Sequence, residues 1–131
     1  MTNILDTSIV IELERRNKKI IEELEKIKKK HYGPAGITFI TYFEVIIGAL
    51  KRSPKNKEET INFLKEFAYL NTTRRTAEIL AELKAKYDKR GISLSLTDLL
   101  IAAQVYEGNH LLITKDNHFS QIDEIRKIIL N

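Results

Sequence analysis

Apolar and polar positions along this chain follow two alternating periods. Short runs of consecutive apolar residues are separated by longer stretches in which apolar residues recur at helical spacing. The first run ends with Ile4-Leu5 and closes on Asp6. It passes at once into Ile9, Val10 and Leu13, then Ile20, Ile21, Leu24 and Ile27, a helical pattern with a break or a fresh cap expected at Asn17. Gly33-Pro34-Ala35-Gly36 punctuates the chain before a second strand, Ile37-Thr38-Phe39-Ile40, and a helix over residues 41–50. Residues 51–57 are basic and carry Pro54, which predicts a loop. A helix over residues 58–66 follows, with Ile61, Phe63, Leu64 and Phe67 inward, and residues 67–70 give a third strand.

Residues 74–89 read as an amphipathic helix on Ala77, Leu80, Leu83 and Tyr87, stopped by Gly91. The segment 96–106 differs. Its Leu99-Leu100-Ile101-Ala102-Ala103 run is apolar nearly all round, which predicts a buried helix. Gly108-Asn109 ends it, Leu111-Leu112-Ile113-Thr114 is the fourth strand, residues 115–119 turn, and a short fifth strand falls within residues 125–130.

Strands alternating with helices predict an α/β domain, a parallel sheet covered by helices on both faces. The length, 131 residues, suits one domain over residues 1–131 with one core. A first strand this early leaves nothing before it, so a central placement requires later strands on both sides. Ligands of such sheets bind beyond the carboxyl ends of the strands, where strand order reverses.

That geometry gives four acids a common address. Helices joining parallel strands run antiparallel to them, so strand C-termini and crossover-helix N-termini share one edge of the sheet. Asp6 ends the first strand, Glu44 lies a turn into the helix after the second, Asp98 opens the helix leading to the fourth, and Asp116 lies just beyond the fourth. All are expected to converge. A plainer reading stands beside this one. Thr41-x-x-Glu44 and Ser95-x-x-Asp98 fit the capping-box pattern, and Asp6 and Asp116 suit caps or turns.

Clustering favours more than caps. Two unit charges about 4 Å apart repel by roughly 4 kcal/mol at an effective dielectric of about 20, whereas a helix N-terminus returns only about 0.3–1 kcal/mol. A bound divalent cation resolves the conflict. The chain has no cysteine and no suitably placed histidine, so all-oxygen ligation points to Mg²⁺ or Mn²⁺ rather than Zn²⁺. Such an ion keeps waters, binds phosphate oxygen and activates water for attack on phosphorus.

Charge and composition add a little. The formal net charge of +4 favours an anionic partner such as nucleic acid without requiring one. The absence of cysteine excludes disulfides and thiol catalysis. No apolar run is long enough to span a bilayer, and the N-terminus lacks the order of a signal peptide, so a cytoplasmic protein without membrane contact is expected. Lys28 to His31, Lys51-Arg52, Lys55, Lys57 and Arg74-Arg75 are candidates for phosphate contacts, although Lys and Arg also enrich solvated helix ends. His31, His110 and His118 read as surface or turn residues. Only His118 lies near the acids, and metal-activated hydrolysis does not need it. Tyr42 and Phe43 beside Glu44 could stack a base, but core packing is expected for Phe43.

Leu5-Asp6-Thr7-Ser8, Glu44-Val45-Ile46-Ile47-Gly48, Thr97-Asp98-Leu99-Leu100-Ile101-Ala102-Ala103 and Leu112-Ile113-Thr114-Lys115-Asp116 with Phe119 and Ile122, in this order, resemble the PIN-domain family, in particular VapC-type toxin ribonucleases. The resemblance spans essentially the whole chain. It implies a five-stranded parallel sheet in order 3-2-1-4-5 and a Mg²⁺- or Mn²⁺-dependent endoribonuclease. It also implies a homodimer restrained by a VapB-like antitoxin. By the same resemblance Asp6, Glu44, Asp98 and Asp116 form the catalytic quartet. Asp6, Asp98 and Asp116 contact metal, Glu44 orients or deprotonates the attacking water or helps hold a second ion, and Thr7, Ser8 and Thr114 support the carboxylates by hydrogen bonds. Asn117 and His118 stand where relatives often carry a further Asp or Asn. A phosphotransfer receiver would need a phosphate-accepting Asp at the centre of the chain, where Leu70-Asn71-Thr72 stands instead. An RNA-binding scaffold that no longer turns over is the other competing reading.

Overall fold

The computed structural model describes residues 2–53 and 55–131. Strand β1 (Asn3–Leu5) leads through helix α1 (Thr7–Glu14) and α2 (Lys18–Lys30) to β2 (Ala35–Thr38). Then come α3 (Phe39–Arg52), α4 (Asn56–Leu64) and β3 (Ala68–Leu70), followed by α5 (Arg74–Lys89), α6 (Leu96–Glu107), β4 (Leu111–Thr114), a 3₁₀ turn (Asn117–Gln121) and β5 (Arg126–Ile129). The strands form one five-stranded sheet in order β3-β2-β1-β4-β5, and every neighbouring pair is parallel. The first strand in sequence is the middle one in space. The chain therefore lays strands to one side of β1 and then returns to the other, which opens a crevice at its carboxyl end.

Helices cover both faces, and alternation along the strands divides the core between them. Ile4 and Leu112 pack on one face with Ile79, Leu83 and Tyr87 of α5, with Leu99 and Val105 of α6, and with Phe119. Leu5, Ile37 and Ile113 pack on the other with Ile9 and Val10 of α1, Ile20 and Ile27 of α2, Val45 of α3 and Leu64 of α4. The central strands β1 and β4 are buried on both faces, and β4 accordingly reads as an apolar run, Leu111-Leu112-Ile113, whereas the edge strands β3 and β5 are partly exposed. Asn17 caps α2, its side chain accepting from the Ile20 N–H, and so separates it from α1 as the sequence predicts.

Several boundaries differ from expectation. The second strand is Ala35–Thr38, two residues earlier, because Thr38 caps α3 by accepting the Thr41 N–H and draws Phe39 and Ile40 into the helix. Gly36 lies within this strand rather than before it, where a Cβ would approach Thr2 Cγ2 to 2.8 Å and Leu70 Cδ1 to 3.0 Å. Lys51 and Arg52 form the last turn of α3 rather than a loop, with basic side chains at the negative helix end. The loop expected at Pro54 falls on a residue outside those described. On α5 the buried face is Thr76, Ile79, Leu83 and Tyr87, with Ala77 exposed. Thr76 tolerates burial because its hydroxyl donates to Glu107 at the end of α6.

Candidate functional site

Asp6 leaves β1 and caps α1. Its Oδ1 accepts the Ile9 N–H at 3.3 Å, and the Asp6 N–H extends the β1–β4 ladder by donating to the Ile113 carbonyl at 3.2 Å. The residue is only 4% exposed. Two hydroxyls fasten its carboxylate to the end of β4. Ser8 Oγ donates to Oδ1 at 2.6 Å and accepts the Lys115 N–H at 3.1 Å. Thr114 Oγ1 donates to Oδ2 at 2.6 Å and accepts the Asp116 N–H at 2.9 Å. The carboxylate thus governs where the backbone goes after β4.

Asp116 caps the 3₁₀ turn, its Oδ1 accepting the His118 N–H at 2.9 Å. His118 Nδ1 lies 3.2 Å from the same oxygen. Asp98 occupies the first turn of α6, its N–H donating to the Ser95 cap at 3.1 Å. Glu44 sits in the second turn of α3, deeper than expected, since the helix starts at Phe39. It is no cap. Thr38 takes that role, which removes the capping-box explanation for Glu44. Instead the Thr7 hydroxyl donates to Glu44 Oε1 at 2.6 Å and lies 3.2 Å from the buried Thr41 hydroxyl.

The acids feel one another. Burial pushes the Asp6 carboxyl above its ordinary pKa against the hydrogen bonds from Ser8, Thr114 and Ile9, and the charge of Asp116 adds to the rise. The Asp98 carboxyl is also raised, first by burial and then by the charges of Asp116 and Glu44, with Ser95 and His118 acting in the opposite sense. Oxygens of Asp98 and Asp116 and a ring nitrogen of His118 all lie within 4.8 Å of one another, the one such donor group among the described residues. Asp6 joins this group through the Thr114 hydroxyl and the Asp116 N–H. Carboxylate oxygens whose burial already disfavours their ionisation, with an imidazole nitrogen beside them, suit a divalent cation.

His118 belongs to this cluster, which corrects the expectation that no histidine is suitably placed: it lies two residues beyond Asp116, and the turn that Asp116 caps carries it to the acids. Phe43 departs from the expected core placement. It is 56% exposed and shares an apolar groove with Phe39, Tyr42, Ile46, Ile47, Leu50 and Tyr69. Gly48, at which a Cβ would meet nothing, does not serve close packing, whereas Ala102 and Ala103 are fully buried. The sheet also parts from a receiver domain, because β3 lies at its edge and ends in Leu70. No helix among the described residues is long and apolar enough to cross a membrane.

Comparison with known proteins gives consistent matches. The chain matches the PIN domain family over residues 4–125. Ribonuclease VapC3 of Methanocaldococcus jannaschii is 31% identical over 106 residues, covering 81% of this chain and 100% of that protein. Among solved structures, VapBC2 from Rickettsia felis bound to a DNA fragment from its promoter superposes with a TM-score of 0.87 at 20% identity, covering 100% of both chains. A toxin–antitoxin complex from Klebsiella pneumoniae superposes with a TM-score of 0.75 at 27% identity, covering 94% of each chain.

Proposed function

The chain belongs to the PIN-domain family, and from that premise we propose that it is a divalent-metal-dependent endoribonuclease, the toxin of a VapBC-type pair. The observation that carries this reading is the gathering of acids at the carboxyl edge of β1 and β4: Asp98 and Asp116 lie together, Asp6 is tied to Asp116 through Thr114, and Glu44 is near enough for its charge to add, after burial and the charge of Asp116, to the raised Asp98 carboxyl. Likeness to a ribonuclease over all of that protein's length supports the substrate class.

In this reading Asp6, Asp98 and Asp116 hold Mg²⁺ or Mn²⁺. When bound, the ion supplies Lewis acidity to a phosphate oxygen and eases deprotonation of water. Glu44, oriented by the Thr7 hydroxyl, aligns the attacking water and takes its proton. Ser8 and Thr114 hold the orientation of the Asp6 carboxylate by donating to its two oxygens.

The exposed face of Phe39, Phe43, Ile47 and Leu50 on α3, continued by Tyr69 on the edge strand, supports self-association into a homodimer. Likeness to the Klebsiella complex supports an antitoxin partner, and a cytoplasmic site of action accords with an RNA substrate. The direct test is cleavage of a mixed RNA pool by purified protein. Cleavage with Mg²⁺ or Mn²⁺ that disappears on chelation and in Asp6→Asn supports the reading. Undiminished cleavage in chelator, or tight RNA binding without hydrolysis across metals and substrates, overturns it, the latter in favour of a scaffold.

A further inference from the structure

The His118 side chain is not needed to hold Asp116 in place. The His118 backbone N–H already anchors Asp116 Oδ1, and an exposed pair of this kind adds little stability. What the imidazole brings is a nitrogen donor, in a group whose other members are Asp98 and Asp116 oxygens. Adjacent donors on an octahedral ion with bonds of about 2.1 Å stand about 3 Å apart. The 3.2 Å between His118 Nδ1 and Asp116 Oδ1 is close to that edge. A shared ion could sit between the two atoms with little change in their spacing.

We propose that His118 is a metal ligand, so that the ion at Asp98 and Asp116 has mixed carboxylate and imidazole surroundings and this chain prefers first-row transition ions to Mg²⁺. The proposal rests on the reading of the acidic site as metal-dependent, and adds to it a nitrogen ligand and a metal preference. Carboxylates and water suit Mg²⁺ and Mn²⁺ about equally, while imidazole favours transition ions, with affinity rising from Mn²⁺ towards Ni²⁺. Mg²⁺ gains little from a nitrogen donor because it dehydrates reluctantly. The ring is exposed while its backbone is held by the Asp116 cap, so the ring can rotate without moving the turn.

The test titrates the intact protein and His118→Asn with Mg²⁺, Mn²⁺ and Ni²⁺ separately by calorimetry, and records pulsed electron paramagnetic resonance of the Mn²⁺ forms. Circular dichroism checks that the exposed substitution leaves the fold intact. The expected result is a directly bound ¹⁴N coupling on Mn²⁺ that vanishes in His118→Asn, with Ni²⁺ affinity falling roughly tenfold or more and Mg²⁺ affinity hardly changed. Mn²⁺ bound without that coupling, or a coupling that persists in the variant, overturns the role of His118; if RNA cleavage is still metal-dependent, the nuclease reading stands. Absence of any metal binding by the wild-type protein overturns both.

Discussion

The Thr114 hydroxyl lies 2.6 Å from Asp6 Oδ2, joining the ends of two neighbouring strands whose residues are 108 positions apart in sequence. The Thr114 hydroxyl oxygen in turn accepts the Asp116 N–H, so one buried hydroxyl links two of the acids. Thr114→Val keeps the shape but removes donor and acceptor together. It is expected to lower stability by about 1–3 kcal/mol and to weaken Mn²⁺ binding, with Thr114→Ser recovering most of both. Urea unfolding and metal titration measure the two effects.

Ionisation of the acids opposes folding while no metal is bound. The carboxyls of Asp6 and Asp98 are raised, chiefly by burial, so the folded chain holds their protons more tightly than the unfolded chain. Their stabilising contribution is present below the unfolded carboxyl pKa of about 4 and is lost as pH rises through the higher folded values, because the native state there binds more protons than the unfolded state. In chelator, Asp98→Asn is therefore expected to gain Tm relative to wild type as pH rises from the acid range to neutrality. Differential scanning calorimetry across that range reads the gap, and a gap independent of pH would contradict the sign.

Metal reverses the balance. Mg²⁺ or Mn²⁺ at a hundred times its Kd should stabilise the wild-type protein by about 2.7 kcal/mol. Asp98→Asn and Asp116→Asn should lose most of that increment while folding normally in chelator. Thermal melts with and without metal give the comparison.

Glu44 and Thr7 separate catalysis from folding. Glu44 caps nothing and its carboxylate is oriented by Thr7, which lies on another helix. Thr7→Val should reduce kcat roughly tenfold or more with a smaller effect on KM, and Glu44→Gln should reduce it further. Single-turnover RNA cleavage with a matched urea melt distinguishes lost orientation from lost stability.

The parallel sheet and its acidic edge were legible because both depend on coarse features: fully apolar strand runs such as Leu111 to Ile113, and acids beside strand ends. What was obscured depended on phase. Residues 37–40 are apolar and β-branched enough to suit either element, and only the Thr38 cap, formed with a backbone N–H, sets the helix start at Phe39. Thr76 reads as polar yet lies inside α5, since its partner Glu107 comes from a different helix. Phe43 reads as core from its neighbours, but the helical phase turns it outward, where an apolar surface suits a partner. His118 shows no periodic signal, because a turn capped by Asp116 sets its position.

The Mn²⁺ anomalous difference map of a crystal soaked in that ion tests the central claim most directly. The account predicts a peak at the carboxyl edge of the sheet, within bonding distance of Asp98 and Asp116 and reached by Asp6 directly or through water. A map with no peak there, or with Mn²⁺ only on scattered surface acids, would contradict it.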